Sequence, residues 1–199
     1  MESVVQFLLS EVDKKNFTVL DIGAGYCEFI NNIQCAQKYA IDLNEETPNF
    51  AHSDVKVFNC FSTDLSFLSD DSIDMVFMSN FLEHLKTKDE IIKTLSEIMR
   101  ILKVGGGVMI LQPNIRYAYK EYWDFFDHHI PLSDRSLVEA LQMVGFKIEK
   151  VLPKFLPYTT KSKIPKNTLL VKIYLKIPFV WKIMGKQMFI LARKPCLTY

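Results

Sequence analysis

Short apolar runs recur along most of this chain, separated by segments that are polar, glycine-containing or spaced like helices. The runs fall at Phe17 to Ile22, Lys38 to Ile41, Val55 to Asn59, Ile73 to Met78 and Val108 to Leu111. Each has the length and the β-branched or aromatic content of a buried strand. Elsewhere the apolar spacing changes to three and four. Ile91, Ile92, Leu95, Ile98 and Met99 share one side of a helix predicted over Lys88 to Leu102, and Ser133 is the N-cap of a second over Ser133 to Val144, closed by Gly145. FKIEKVL then predicts a sixth strand and Gln187 to Lys194 a seventh. Strands alternating with helices predict an α/β fold, a doubly wound and mostly parallel sheet with helices on both faces.

Residues 153–186 separate the last two strands, far more than a hairpin needs, and contain Pro153, Pro157, Pro165 and Pro178. Within them NTLLVKIYLKI puts Thr168, Lys172 and Lys176 on one polar stripe, with Leu169, Leu170, Ile173, Tyr174 and Ile177 around the rest, which predicts a helix. FVWKIMG after Pro178 predicts a further helical turn, with Trp181 as an amphipathic anchor. The stretch is too short and too charged to span a bilayer. With 199 residues, 49% of them hydrophobic, the chain can bury one sizeable core. It is read as one domain over 1–199, with 153–186 a basic amphipathic insertion acting as a lid or docking segment.

The net charge of +1 conceals an asymmetry. Up to Glu149 the chain holds 23 acids against 13 lysines and arginines, a balance of −10, whereas from Lys150 onward it holds 11 basic residues and no acid. Such a run commonly covers a solvated face, and it also suits an anionic surface. The start, MESVVQFLLSEVDKK, reads as a short amphipathic helix without the basic and apolar regions of a signal peptide. Cys27, Cys35, Cys60 and Cys196 form no CxxC pair and no metal spacing, so neither a disulfide framework nor a zinc site is expected. A reducing cytoplasm is the expected compartment.

The densest chemistry lies in TVLDIGAGYCEFI, Thr18 to Ile30, followed by KYAIDLN, Lys38 to Asn44. The pattern reads as strand, glycine turn, helix, strand, then an acid. Gly23, Ala24 and Gly25 let a ligand approach the strand end closely. Asp42 follows about 20 residues on, the distance at which a Rossmann-type unit presents a carboxylate to ribose hydroxyls. The third glycine position of a dinucleotide fingerprint is Glu28, whose carboxylate would repel a pyrophosphate, which argues against NAD or FAD. Asp21, two residues before Gly23, suits a cationic ligand instead. S-adenosylmethionine carries a sulfonium and an ammonium.

At these residues the chain resembles the class I S-adenosylmethionine-dependent methyltransferases, whose first motif is an acid followed by Gly-x-Gly at the end of strand one; DIGAG matches it. The resemblance continues through DLSFLSDDSIDMVFMSNFLEHL at Asp64 to Leu85, IMRILKVGGGVMILQPN at Ile98 to Asn114, and FDHHIPLSDRSLVEALQMVGFKIEKV. It covers about residues 17–152 and resumes at the last strand. It implies a Rossmann-like sheet of seven strands with an antiparallel last strand, and S-adenosylmethionine as cofactor. Asp21 and the Gly23, Ala24 and Gly25 backbone would serve the methionine portion, with Tyr26 and Cys27 at the helix start. Asp42 would bind the ribose hydroxyls and Leu43 would lie beside the adenine. Where many relatives place an acid near the adenine this chain has Phe61, which could pack on the ring, leaving Ser62, Thr63 or Asp64 as polar alternatives. Ser79 and Asn80 end strand four, with Asn80 toward the methionine end.

Methyl transfer is an in-line displacement governed by positioning. A hydroxyl acceptor is a poor nucleophile at neutral pH, so His84 is the candidate catalytic base. After strand five, Asn114, Arg116, Tyr117, Tyr122, Trp123, Asp124 and His128 combine rings and polar groups in a manner suited to a sugar or nucleotide acceptor. His128 and His129 are adjacent and lack further ligand spacing, so no metal is expected. DHxxPLSxxSL, beginning at Asp127, is similar to tails of bacterial polysaccharide-cluster methyltransferases. O-methylation of a small molecule such as a sugar or glycan intermediate is therefore the leading expectation. Alternatives are a lipid-linked acceptor at the inner membrane face, met through residues 165–186, an RNA acceptor, and a cofactor-binding module without catalysis. Nucleic acid is disfavoured because the NPPY and DPPY signatures and a Pro-Cys nucleophile are absent.

Overall fold

The computed structural model describes residues 4, 5, 7, 16–158 and 168–196. Val4, Val5 and Phe7 are helical, and the rest of the expected N-terminal helix lies outside the described residues, as does Pro165. Strands β1 (Thr18–Ile22), β2 (Gln37–Ile41), β3 (Val55–Phe58) and β4 (Ile73–Ser79) lead into helix α1 (Lys88–Ile101) and the long strand β5 (Leu102–Pro113). Then come α2 (Ile115–Tyr122), α3 (Asp134–Val144), β6 (Lys147–Leu152), α4 (Thr168–Leu175), α5 (Pro178–Met184) and β7 (Gln187–Arg193). The seven strands form one sheet in the order β3-β2-β1-β4-β5-β7-β6. The pairs from β3 through β5 are parallel, and β7 runs antiparallel to both β5 and β6. This is the expected doubly wound sheet with an antiparallel last strand.

The central strands β1, β4, β5 and β7 are buried along most of their length because both faces of the sheet are covered there. Leu20, Ile22, Val76, Met78, Val108 and Ile110 face one layer, where Leu95 and Ile98 of α1 and Leu137 and Leu141 of α3 pack. Val19, Met75, Phe77, Met109 and Leu111 face the other, with Phe29, Ile30, Phe155, Leu175 and Trp181. Helix α1 starts where Thr87 accepts a hydrogen bond from the Glu90 N–H, and α3 where Ser133 and Ser136 cap each other's backbone, as expected for Ser133. Gly145, at φ 104, ends α3 in the left-handed conformation that glycine adopts without strain.

Three expectations are corrected. The glycine turn opens no α-helix: turns run from Gly25 to Phe29 and a single 3-10 turn spans Ile30–Asn32. Cys27 there has φ 56, which breaks a regular helix at that point, and the Asn32 side chain donates to the Glu28 carbonyl. Strand β5 begins at Leu102, not Val108, with its pairing shifted across Gly105 and Gly106 so that Ile73 pairs with Leu102 and Met75 with Gly107. Trp181 is no exposed anchor. It is 8% exposed, its Nε1 donates to the Tyr174 carbonyl at 2.8 Å, and its ring meets Phe155 edge to face at 5.1 Å.

Candidate active site

In this topology the chain moves outward from β1 through β2 to β3, then crosses back to β4 on the other side of β1. Ligands in open α/β sheets bind beyond the carboxyl ends of the strands at such a switch point. A cavity of about 360 Å3 lies there. That is within the usual range for a small-molecule site, about 300–1,000 Å3. Its wall includes Gly23, Asp42, Leu43, Phe61, Ser62, Asn80 and His84, all expected as site residues, together with Ile41, Cys60, Phe81 and Leu85, which the sequence reading missed.

The turn after β1 is bound to the tip of β2. Gly23 and Ala24 both donate to the Ile41 carbonyl, at 3.0 and 3.2 Å, and the Gly25 N–H donates to Asp42 Oδ2 at 2.7 Å. With three successive amides so committed, the turn offers no nest for a pyrophosphate. Asp42 Oδ1 accepts from the Asn44 N–H at 2.9 Å. Each carboxylate oxygen has two lone pairs, so both keep capacity for a ribose hydroxyl. Gly23 has φ 68, and a side chain there would run into the Phe81 ring.

Asp21 lies beneath this turn, 3% exposed. Burial pushes its carboxyl well above the usual range, opposed by a hydrogen bond from the Ile30 backbone and reinforced by the charge of Asp42. Burial thus works against the charge on Asp21 in the ligand-free protein, and a cation delivered to this point would favour the carboxylate. Cys27 is buried, its thiol pushed up to about 11 by burial, and its Sγ points to the Thr47 carbonyl. Ala24 is buried, and Tyr26 is 70% exposed with its ring edge to face with Phe50 at 4.8 Å. Ser62 faces the cavity wall but its hydroxyl pairs with Thr94 at 2.8 Å, while Asp64 caps a turn by accepting from the Ser66 N–H at 3.1 Å. Asp64 thus lies away from the cavity. Asn80 has φ 47 and its Oδ1 accepts from Gln187 Nε2 at 3.1 Å; Ser79, just before it, is half-buried.

At the other end of the cavity a 3-10 turn, Leu82–His84, carries two ionisable side chains in opposite environments. His84 is exposed, with Nδ1 3.1 Å from the Asp127 carbonyl and 3.2 Å from its carboxylate. Glu83 is fully buried, its carboxyl pushed up to about 7 by burial and held by Gln112 Nε2 at 2.7 Å. Neither Glu83 nor Gln112 is a site candidate on sequence grounds, although Gln112 is conspicuous as a polar residue inside the run VMILQP.

The expected acceptor residues divide. Asn114 is buried as the cap of α2, donating to Asp134 at 2.8 Å and to the Pro153 carbonyl at 3.0 Å. Arg116 pairs with the same Asp134 at 2.9 Å, and Lys154 covers the Tyr117 ring at 4.5 Å. Tyr122 is buried and donates to the Ile130 carbonyl at 2.6 Å. These four hold the α2 to β6 region together. Trp123, 59% exposed, and Asp124 point to solvent, and only His128 reaches the neighbourhood of His84, with ring centroids 5.1 Å apart.

A family model described as a methyltransferase domain matches residues 1–151. An uncharacterised protein of Methanocaldococcus jannaschii is 30% identical over 150 residues, which are 74% of this chain and 62% of that protein, so the chain spans about three fifths of this curated relative. An S-adenosylmethionine-dependent methyltransferase of Archaeoglobus fulgidus superposes with a TM-score of 0.71 at 22% identity, over 98% of this chain and 95% of that one. A chain from a Haloferax volcanii complex of a methyltransferase with a methyltransferase activator gives 0.73 at 16% identity, over 100% and 90% of the two chains. At these identities the solved structures share the fold.

Proposed function

This chain belongs to the methyltransferase-domain family, and from that premise we propose that it binds S-adenosylmethionine in the cavity at the β1, β2 and β4 tips and transfers the methyl group to a small acceptor. The observation that carries the proposal is the pair of carboxylates flanking the Gly23 turn. Asp21 is buried where a cation would favour its charge, and Asp42 stands on the cavity wall with spare lone pairs for the ribose. Leu43 and Phe61 supply apolar surface for the adenine, and Asn80 borders the methionine end. An acceptor oxygen attacks the methyl carbon as the carbon–sulfur bond breaks, the electron pair stays on sulfur, and the acceptor's proton passes to His84 Nε2. His84 presents its Nε2 to this end, because its Nδ1 is taken up by Asp127. Titration calorimetry with S-adenosylmethionine and S-adenosylhomocysteine tests the binding. Methyl-transfer assays over nucleotide sugars, lipid-linked sugars and RNA, read as S-adenosylhomocysteine formed, test the acceptor.

For the acceptor we favour a sugar or glycan intermediate methylated on oxygen, on the strength of the DHxxPLSxxSL likeness. Most of that motif builds architecture here: Ser133 and Ser136 cap α3, and Leu132 and Leu137 are buried. Its His128 is the residue that bears on the site. A lipid-linked acceptor is the second reading, carried by the outer face of residues 168–184, treated as a docking segment within a single domain. Leu169, Ile173, Phe179 and Ile183 are exposed there among Lys172, Lys176 and Lys182, although no described helix is long and apolar enough to cross a membrane. Flotation with anionic liposomes tests it: binding lost on converting Lys172 and Lys176 to Glu supports this reading, and no flotation ends it.

A further inference from the structure

Three side chains from two segments converge beside the cavity, each offering one potential ligand atom. Glu83 and His84 come from the 3-10 turn, and His128 from the loop bound to it, where His129 and Ile130 donate to the Glu83 carbonyl at 2.7 and 3.3 Å. One ligand atom of each of the three lies within 4.8 Å of the other two. Each residue also has a hydrogen-bond partner on its far side. Gln112 holds Glu83 through Oε2, Asp127 holds His84 through Nδ1, and His128 has a backbone hydrogen bond with Tyr122. What remains is Glu83 Oε1, His84 Nε2 and His128 Nδ1. Glu83 Oε1 and His128 Nδ1 are buried and, like the neighbouring Gln112 Oε1, have no hydrogen-bond partner among the described residues. Buried polar atoms without partners are costly, and two in one cluster imply something that answers both. Metal-binding side chains usually carry such a carboxylate, carbonyl or amide partner on their far side.

We propose that Glu83, His84 and His128 bind one divalent transition-metal ion at the acceptor end of the cavity. One carboxylate and two imidazoles suit Zn2+, Fe2+ or Mn2+, whereas Mg2+ and Ca2+ prefer all-oxygen sets. Ligand atoms about 2.0–2.2 Å from such an ion stand roughly 3.3–3.6 Å apart, so the cluster must close by about 1 Å. Exposed His84 is the side chain with room to move. The sequence argued against a metal because adjacent His128 and His129 diverge; the fold instead pairs His128 with Glu83 and His84, over 40 positions away. Three protein ligands leave a coordination position open, and His84 also lines the cavity, so that position faces whatever binds there. On the methyl-transfer reading, the open position would take the acceptor oxygen and favour release of its proton to solvent water. His84 is then a ligand and not the base.

The test needs no S-adenosylmethionine. The full chain, stripped with a chelator, is titrated with Co2+ followed by visible absorption, then with Zn2+ as competitor. One equivalent of Co2+ with the spectrum of a four- or five-coordinate site, displaced by Zn2+, is expected. His84→Ala and His128→Ala should each weaken Co2+ binding at least tenfold. Because His84 is exposed, its variant should keep the thermal midpoint of the metal-free wild type. Absence of stoichiometric Co2+ binding to the wild type, as a water-filled site would give, overturns the proposal. So does binding that both variants retain in full. Since the cofactor is left out, neither result depends on whether S-adenosylmethionine binds.

Discussion

Replacing Asp21 by asparagine should stabilise the ligand-free protein near neutral pH and weaken its hold on S-adenosylmethionine, and both effects have one cause. A carboxyl whose folded pKa is raised contributes stability that is fully present below its unfolded pKa and is lost as pH rises through the folded pKa. Asp21 is such a group, through burial first and the Asp42 charge in addition. Each unit of elevation is worth about 1.4 kcal/mol, and about 1 kcal/mol moves the midpoint of a domain of this size by roughly 2–4 °C. The asparagine side chain would be neutral at every pH and could still accept from Ile30, so a higher midpoint at pH 7 is expected. Binding runs the other way. A cationic ligand requires the carboxylate, so below the ligand-free pKa association releases a proton and affinity rises up to about tenfold per pH unit, levelling off above it. The assay is calorimetry from pH 5 to 7.5, below the range near 8 where the ligand's own ammonium titrates, in two buffers of different ionisation enthalpy. Asp21→Asn should abolish both the slope and the proton release. A lower midpoint with unchanged affinity, or a pH-independent wild-type affinity, would show that Asp21 merely caps the 3-10 turn.

Gly23→Ala should cost about 1–2 kcal/mol for its left-handed backbone alone, and more because the new methyl meets Phe81; an unchanged urea midpoint would contradict the turn geometry. Trp181→Ala should destabilise by about 3–5 kcal/mol as a buried aromatic, so a loss below about 1 kcal/mol would return Trp181 to the surface. Asn114→Ala removes the α2 cap and a partner of buried Asp134, and should lower stability by about 2 kcal/mol. A raised acceptor KM at unchanged stability would instead restore Asn114 as an acceptor contact.

The strands and the two amphipathic helices α1 and α3 were legible because their signals are local: apolar runs, a three-four spacing, Ser133 at a start and Gly145 at an end. The cavity at the switch point was legible for the same reason, since Gly23, Asp42, Leu43 and Asn80, which line it, all sit at strand tips. What escaped depends on distant partners. The missing helix after Gly25 reflects backbone turns at Cys27 and the Asn32 side chain, and the early start of β5 reflects its shifted pairing with β4. The aromatic and polar stretch after Pro113 reads as acceptor recognition, yet Asn114, Arg116 and Tyr122 spend their polar groups on Asp134, Pro153 and Ile130. Residue type announces polar chemistry there without saying whether it faces inward. Glu83 escaped because its full burial becomes visible only once Gln112 and the 127–130 loop close over it.

The central claim, that the cavity at the Gly23 turn holds S-adenosylmethionine, is tested most directly by calorimetric titration of the full chain with that ligand, beside Asp42→Ala. Saturable one-to-one binding is expected, weakened at least tenfold in the variant, which loses the proposed ribose contact and the anchors to Gly25 and Asn44. Absence of binding to the wild type at millimolar ligand, or equal affinity in the two proteins, would contradict it.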